Sequence, residues 1–197
     1  MNQVTQPIDE QLSAIWRQGG TPEELLWRAR EPFEAWLEAP GIDLKQYSAR
    51  SANPYARYLL SKPDLPIELY LALWMPGTES PIHDHQGLTG AVAILAGELV
   101  ETRYELTQTG DKHEIAWQGG GLMQPGLASP IYPQGLHQVH RMYNPGATTA
   151  ASVHLYFGKL TQVTHYLPVA KSKLLITETH GVWHDGAKRQ QPKLIVL

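Results

Sequence analysis

The sequence of 197 residues contains no cysteine. This absence excludes disulfide bonds, zinc sites built on thiolates and thiol nucleophiles. The sequence also lacks any apolar run approaching the ~20 residues that a membrane-spanning helix needs. It has no basic block, and its formal net charge is −3 at pH 7. Nucleic acid and membranes are therefore not expected as partners.

The opening segment, MNQVTQPIDE, lacks the basic n-region and the apolar h-region of a signal peptide. A hydrophobic fraction of 42% is too high for a disordered chain. The length suits one globular domain with a sizeable core, so residues 1–197 are predicted to form a single domain. We expect a cytoplasmic protein that is a monomer or a small homo-oligomer.

Two residue types are abundant. The chain has nine histidines, and it has 17 glycines together with 15 prolines. The glycines and prolines favour a β structure rich in turns, and the histidines raise the prospect of metal chemistry.

Residues 1–45 have the pattern of helices. Apolar residues at helical spacing run up to Gly19-Gly20, which predicts a first helix that ends there. Thr21-Pro22-Glu23-Glu24 is typical of a capping box with proline at the first helical position. The second helix is predicted to break at Pro32 and to end at Pro40-Gly41.

From about Tyr55 the apolar period changes from 3.6 to 2, which predicts strands over residues 55–197. The segments with this pattern are Ile67–Trp74, Ala91–Ala96, Leu99–Leu106, Lys112–Trp117, Gln138–Tyr143 and Ala150–Phe157. Gly119-Gly120-Gly121 is predicted to end the fourth of them, and Leu174-Leu175-Ile176 to add an edge strand. Short strands joined by frequent turns indicate a sandwich or a small barrel, here with a C-terminal extension.

His83-Asp84-His85 is a candidate metal-binding motif. Residues two apart on a strand point to the same face, so both imidazoles can reach one metal ion. Two surface histidines would give the same triplet. Its context, Gly77-x5-His83-x-His85-x4-Gly90-x6-Gly97, resembles the first motif of the cupin superfamily. That resemblance implies a small jelly-roll β-barrel with metal-binding histidines that point inward.

Gly90 stands where cupins usually carry a metal-binding glutamate. A site built here would use three histidines and no carboxylate, which leaves three positions open on an octahedral ion for outside ligands. Gly90 is also expected to leave room for a bulkier substrate or an extra water.

The third histidine is expected on a later strand, where His137 and His140 are both available. Residues three apart face opposite sides of a strand, so one of the two points inward. The second cupin motif ends in His-x3-Asn, a pattern that His140 and Asn144 satisfy. We therefore select His140 as the ligand and leave the role of His137 open.

Ser152, His154 and Tyr156 alternate with apolar residues, so they share one face of one strand. Such a face could simply meet water. If it lines a cavity instead, the three side chains can form a hydrogen-bonded chain that fixes the Tyr156 hydroxyl over a metal site. That hydroxyl would then serve as an orienting donor and an acid.

Taken together, the three motifs resemble those of the thiol dioxygenases, the cysteine dioxygenase family of cupins. They are His83-Asp84-His85, His140-Arg141-x-x-Asn144-Pro145 and Ser152-x-His154-Leu155-Tyr156. The resemblance implies a mononuclear non-haem Fe(II) held by three histidines. It also implies a substrate thiolate to which both atoms of O₂ are added, giving a sulfinate with no reducing cosubstrate.

Tyr55-Ala56-Arg57 matches the Tyr-x-Arg of cysteine dioxygenases, whose arginine binds the substrate carboxylate. A planar guanidinium can pair with a carboxylate through two parallel hydrogen bonds. The related 3-mercaptopropionate dioxygenases have glutamine at this place and an arginine nine residues beyond the motif tyrosine. Here that later position holds His165, so this chain follows the Arg57 pattern.

The resemblance has one clear departure. Animal cysteine dioxygenases carry a cysteine at the place of Gly90, cross-linked to the motif tyrosine, so Tyr156 is here expected to be an unmodified phenol. The substrate is expected to be L-cysteine or a similar mercapto acid. Two alternatives stay open: a metal-dependent cupin enzyme with a non-thiol substrate, and a non-catalytic cupin that binds a small molecule.

Overall fold

The computed structural model describes residues 7–39, 42–109, 112–135, 138–168, 175–182 and 185. Two helices, α1 (Ile8–Arg17) and α2 (Pro22–Glu38), are followed by a short 3₁₀ turn at Leu44–Gln46. Within these residues, no helix is both long and apolar enough to span a membrane.

Ten strands follow in the described part of the chain. They are β1 (Ala56–Leu59), β2 (Glu68–Trp74), β3 (Thr89–Ala96), β4 (Leu99–Thr109), β5 (Lys112–Met123), β6 (Ala128–Ile131), β7 (Val139–Tyr143), β8 (Ala150–Phe157), β9 (Gln162–Pro168) and β10 (Leu175–Gly181). All six predicted strands are present. β1, β6 and β9 are additional, and β10 confirms the predicted edge strand, although Leu174 lies outside the described residues.

The start of α2 confirms the predicted capping box. The Thr21 hydroxyl accepts a hydrogen bond from the backbone N–H of Glu24, and the Glu24 carboxylate accepts one from the backbone N–H of Thr21. Each bond satisfies a donor that the first helical turn leaves unpaired.

The break predicted at Pro32 is wrong, because α2 continues through it to Glu38. Proline removes one helical hydrogen bond. Leu25, Ala29 and Phe33, spaced four apart on one face, are nevertheless buried and hold the helix in place. The helix ends as Ala39 becomes extended, the conformation favoured before a proline; Pro40-Gly41 itself lies outside the described residues.

The strands form two sheets of a jelly-roll type. One has the order β1-β2-β8-β3-β6, and the other contains β5-β4-β7. β9 and β10 pair with each other, and the segment at His83 bridges β7 through His140 and β9 through His165. The predicted mainly β architecture with N-terminal helices is confirmed.

Two apolar layers lie on the two faces of the five-stranded sheet. The outer face packs on the helices, with Leu71 and Val153 in one cluster with Leu25 and Phe33. The inner face contributes to a second cluster, which also holds residues of the other sheet. Because both faces are covered, β2 and β8 are buried at every position. The inner face of β8 is the one that carries Ser152, His154 and Tyr156.

The glycine triplet 119–121 does not end a strand as predicted, since β5 runs on to Met123. The pairing of β5 with β4 shifts register beside it, between Arg103 and Tyr104, which marks a β-bulge. A side chain at Gly120 would put its Cβ 2.1 Å from the Glu101 carbonyl oxygen, so glycine is needed there for the close approach of the two backbones.

Candidate metal centre

His83 and His140 lie directly opposite each other on neighbouring antiparallel segments. The backbone N–H of His83 donates to the His140 carbonyl oxygen at 2.9 Å, and the reverse bond is 3.1 Å long. This pairing brings together two imidazoles that are 57 residues apart in the sequence. His85 follows two residues after His83, as the same-face argument requires.

The three predicted imidazoles form one buried cluster. Their ring centroids are separated by 5.0 Å for His83 and His85 and by 4.8 Å from each of these to His140. One potential ligand nitrogen from each ring lies within 4.8 Å of the others. Imidazole nitrogens so placed can share one metal ion.

The surroundings of the ring nitrogens support metal binding. His83 Nδ1 lies 2.9 Å from the Pro81 carbonyl oxygen, and His140 Nδ1 lies 2.8 Å from Glu101 Oε1. In the part of the chain that the structure describes, His140 Nε2 and both His85 nitrogens have no hydrogen bond of normal geometry, although the Gln138 backbone approaches His85. Buried unpaired nitrogens are costly, and a metal ion would satisfy them. The residues therefore fit a metal.

Burial lowers the pKa of His83 and of His85 well below the usual value, and the nearby His140 lowers both further. The neutral imidazole is the form that binds a metal, so burial favours the state required.

Asp84, between the two histidines, anchors their turn to β9. Its Oδ1 accepts from the backbone N–H of Thr164 at 3.0 Å, and its Oδ2 accepts from the Tyr166 hydroxyl at 2.9 Å. A bond from the backbone N–H of Gln86 closes the turn. Asp84 therefore fixes the His83–His85 segment against β9, a role that the sequence pattern did not indicate.

Glu101 on β4 is a further participant that the sequence analysis missed. Its carboxylate is buried and contacts His140, Ser129 and Arg103. Burial raises the pKa of Glu101, but the hydrogen bond with His140 and the adjacent Arg103 guanidinium outweigh it and hold the pKa below its usual value. An ionised carboxylate thus lies behind one of the three imidazoles.

Ser152, His154 and Tyr156 form a hydrogen-bonded chain on β8. Ser152 Oγ is 2.9 Å from His154 Nε2, and the Tyr156 hydroxyl is 3.3 Å from His154 Nδ1. Trp74 Nε1 donates to Ser152 Oγ at 2.9 Å. Burial lowers the pKa of His154, helped by the charge of Arg57, and burial raises the pKa of Tyr156.

Arg57 lies on β1 and is only 5% exposed. Its guanidinium carbon is 3.9 Å from the ring centroid of Tyr70 and 5.8 Å from that of Tyr156. Among the described residues, its Nη2 has no hydrogen-bond partner. Tyr55, two residues earlier, stacks on Trp74 with ring centroids 4.0 Å apart.

One small cavity lies beside most of these groups, and its volume of about 20 Å³ open to water-sized molecules corresponds to about one water. Its polar lining includes Tyr55, Arg57, Ser80, His83, His85, His154, Tyr156 and His165. Apolar side chains such as Trp74, Met142, Leu160 and Val163 complete the wall. His165 was not expected here; it stacks on His180 at 4.2 Å, and burial together with His180 lowers its pKa to about 4.

Two expectations need comment. The room expected at Gly90 is absent, since a Cβ there would lie 2.2 Å from the Leu155 carbonyl oxygen and 3.2 Å from the Tyr156 ring. The backbone of β8 therefore occupies the space beside Gly90. His137, the alternative to His140, lies outside the described residues.

Comparison with known families gives one match that covers more than half of the chain. The family model described as cysteine dioxygenase type I matches residues 33–167. That span includes the three imidazoles, Arg57 and the β8 chain of Ser152, His154 and Tyr156.

Several solved structures are more distantly similar. A Thermus thermophilus protein is 21% identical, with 61% of this chain and 98% of that chain covered and a TM-score of 0.45. An oxalate oxidase is 21% identical, with 63% and 64% covered and a TM-score of 0.43. A Silicibacter pomeroyi sugar phosphate isomerase from a cupin superfamily is 20% identical, with 72% and 87% covered and a TM-score of 0.46. Likenesses this distant carry no argument about function.

Proposed function

Because this chain belongs to the cysteine dioxygenase type I family, we propose that it is an Fe(II)-dependent thiol dioxygenase. The substrate is a small thiol that bears a carboxylate, L-cysteine or a similar mercapto acid. The product is the corresponding sulfinate.

The reaction balances without a further reductant. A thiolate and one O₂ give one sulfinate, with two new S–O bonds formed and the O–O bond broken. The sulfur loses four electrons, and the two oxygen atoms gain them. The thiol proton leaves before the new bonds form, so the cavity must favour the thiolate.

His83, His85 and His140 would hold the metal through neutral ring nitrogens, consistent with the lowered pKa values of His83 and His85. Bound Fe(II) supplies a Lewis acid that favours the thiolate and a redox centre that reacts with O₂. The protein contributes the positions of the three imidazole rings. Strand pairing and the hydrogen bonds of Asp84 fix these rings, so they need little reorganisation when the metal binds.

Arg57 would bind the substrate carboxylate. Its guanidinium is buried and permanently charged, and Nη2 has no hydrogen-bond partner in the described part of the chain, so it can donate to a ligand. The Tyr70 ring beneath it restricts its rotation and stabilises the cation. A carboxylate held here would leave the sulfur end of a small thiol acid near His83 and His85, because these two residues line the same cavity as Arg57.

Tyr156 would donate a hydrogen bond to the reacting oxygen or sulfur. Trp74 donates to the Ser152 oxygen, and we assign the Ser152 hydroxyl as the donor to His154 Nε2. The remaining proton of neutral His154 then lies on Nδ1 and faces the Tyr156 oxygen. The Tyr156 O–H is thereby directed away from His154 and into the cavity, and the raised pKa keeps it protonated.

The observation that carries this proposal is that a buried arginine lines the same small cavity as His83 and His85, two members of the buried three-imidazole cluster. The cluster fits a metal, and the arginine fits a carboxylate. A substrate with a carboxylate and a metal-binding thiol would use both.

The test is O₂ consumption by the Fe(II)-loaded protein with cysteine, 3-mercaptopropionate, mercaptosuccinate and cysteamine. We expect uptake with at least one carboxylate thiol and little with cysteamine, which lacks the carboxylate. No uptake with any thiol, in protein shown to hold iron, would overturn the proposal. That result would favour a cupin enzyme with a non-thiol substrate or a non-catalytic binding protein.

A further inference from the structure

Glu101 is among the most deeply buried charged residues described, with 2% of its surface exposed. It lies on β4, which pairs with the strand that carries His140. Burying a carboxylate is expensive unless its oxygens are fully hydrogen-bonded. Its contacts therefore indicate what the fold gains from this residue.

Each oxygen of the carboxylate has a separate partner. Oε1 lies 2.8 Å from His140 Nδ1, and Oε2 lies 2.7 Å from Arg103 Nη2 and 2.9 Å from Arg103 Nε. The Ser129 hydroxyl lies 2.8 Å from Oε2 and 3.0 Å from Oε1. Because Ser129 comes from the other sheet, the carboxylate is fixed from two sides.

This arrangement determines which nitrogen of His140 carries the proton. An ionised carboxylate only accepts hydrogen bonds, so Nδ1 must be the donor. The lone pair of neutral His140 is then on Nε2, the buried nitrogen without a partner among the described residues. Arg103 pairs with the other carboxylate oxygen, Oε2, and balances its negative charge. The proton therefore stays on Nδ1 of His140 and does not move to Glu101.

The three imidazoles differ in the group that faces their ring nitrogens. His83 Nδ1 faces the neutral carbonyl of Pro81, and His85 has no bond of normal geometry at either nitrogen in the described chain. Only His140 of the three faces a charged acceptor in the described residues. A carboxylate behind an imidazole raises the basicity of the ring and fixes its orientation.

We propose that Glu101 is a positioning residue for the metal centre. It holds His140 as the Nδ1–H tautomer with Nε2 directed to the cluster, and it strengthens that nitrogen as a donor, so the metal binds more tightly. This rests on the metal site of the proposed function and is independent of the thiol chemistry.

The direct test measures Fe(II) affinity under anaerobic conditions, by competition with a chelator, in the full-length protein. Glu101→Gln keeps the shape of the side chain and removes its charge. We expect affinity to fall by roughly 10–100-fold, the range known for such outer partners of metal ligands. Glu105→Gln is the matched control, because Glu105 lies on the same strand but is exposed and bonds only to Gln118 among described residues; a change below about threefold is expected.

A purely structural role for Glu101 predicts a different pattern. Ser129→Ala removes the bond between the sheets but leaves the contact of Glu101 with His140. It should lower the melting temperature and leave Fe(II) affinity within about threefold of wild type. If Glu101→Gln and Ser129→Ala lower the melting temperature equally and both leave the Fe(II) affinity unchanged, the proposal is overturned.

A second readout needs no variant. In the metal-free wild-type protein, the ¹⁵N chemical shifts of His140 report its tautomer. We expect Nδ1 to carry a proton whether or not Nε2 does, and a proton on Nε2 with none on Nδ1 would contradict the proposal even if Glu101→Gln fails to fold. Because neither measurement uses a thiol or O₂, absence of thiol oxidation would count against the proposed function alone.

Discussion

The two ends of the cavity handle charge in opposite ways. At one end, three buried imidazoles gather their nitrogens within 4.8 Å, and burial lowers the pKa of His83 and His85. At the other end, the buried guanidinium of Arg57 lies 3.9 Å above the ring centroid of Tyr70. At the first end His83 and His85 offer lone pairs without charge, whereas the second end offers a permanent positive charge.

This contrast follows from the chemistry of the side chains. Histidine loses its proton easily on burial, so it can be desolvated as a neutral donor. Arginine stays charged at any accessible pH, so it needs an aromatic face or an anion. Tyr156 is close to both, with its ring centroid 5.7 Å from that of His85 and 5.8 Å from the Arg57 guanidinium carbon. We expect substitutions at the two ends to affect different quantities.

The largest effect is expected at the imidazole end. His140→Ala removes one of three proposed ligands, and we predict loss of stoichiometric iron and of activity. The loss in affinity should exceed the ~10–100-fold cost of an outer partner. Iron content and O₂ uptake are the measurements, with His180→Gln as a control histidine outside the cluster. Retention of full iron and activity would remove His140 from the ligand set and make His137 the next candidate.

Tyr156→Phe tests the residue close to both ends. It removes one hydroxyl and keeps the ring, so iron content and folding should be unchanged. We expect kcat to fall by roughly 10²–10⁴-fold, the range for loss of a positioned proton donor. Ser152→Ala removes the hydrogen bond to His154 and leaves the Tyr156 hydroxyl in place, so it should lower kcat less. An unchanged kcat in Tyr156→Phe would exclude the donor role.

Arg57→Ala tests the cationic end. Removing one partner of a buried charge pair costs about 2 kcal/mol or more, which corresponds to a rise in KM of roughly 30-fold for carboxylate thiols. Iron content should stay at the wild-type level, which separates this end from the imidazole end. Arg50→Ala is the control, since Arg50 is exposed. An unchanged KM in Arg57→Ala would exclude the carboxylate contact.

The smallest effect is expected at Gly90, where β3 lies against β8, and it concerns stability. Gly90→Ala would place a Cβ 2.2 Å from the Leu155 carbonyl oxygen, so β3 and β8 must separate locally. We expect the free energy of unfolding to fall by about 1–3 kcal/mol, measured by urea denaturation, as for other overpacked sites. Gly121→Ala is matched to it, because a Cβ there meets nothing within 4 Å. Equal stability of the two variants would show that β8 moves aside easily.

The parts of the site that sequence could predict are those with short-range patterns. His83 and His85 are two apart, and Ser152, His154 and Tyr156 alternate, so each set shares a face whatever the rest of the chain does. The strand alternation likewise predicted the six strands that carry or flank them.

Glu101 could not be found in this way. On β4 it is one polar residue among several, and its partners His140 and Ser129 lie 39 and 28 residues later. Only the pairing of β4 with β7 and the packing of the two sheets bring them together. The same limitation applies to His165, which enters the cavity through a bridge to His83.

Local rules also failed where tertiary packing was stronger. Pro32 costs one helical hydrogen bond, yet the buried face of α2 outweighs that loss. Glycines 119–121 have turn character, and Gly119 does have a positive φ of 117°, but the pairing with β4 continues through them and only a glycine fits at 120. In both cases a neighbour distant in sequence decided the local conformation.

The most direct test of the central claim is the fate of the two oxygen atoms. The Fe(II)-loaded protein would be supplied with ¹⁸O₂ and the carboxylate thiol that gives the fastest O₂ uptake, and the product would be analysed by mass spectrometry. We predict a sulfinate that carries two ¹⁸O atoms. A disulfide formed with hydrogen peroxide, or a sulfinate with only one labelled oxygen, would contradict the proposed dioxygenase activity.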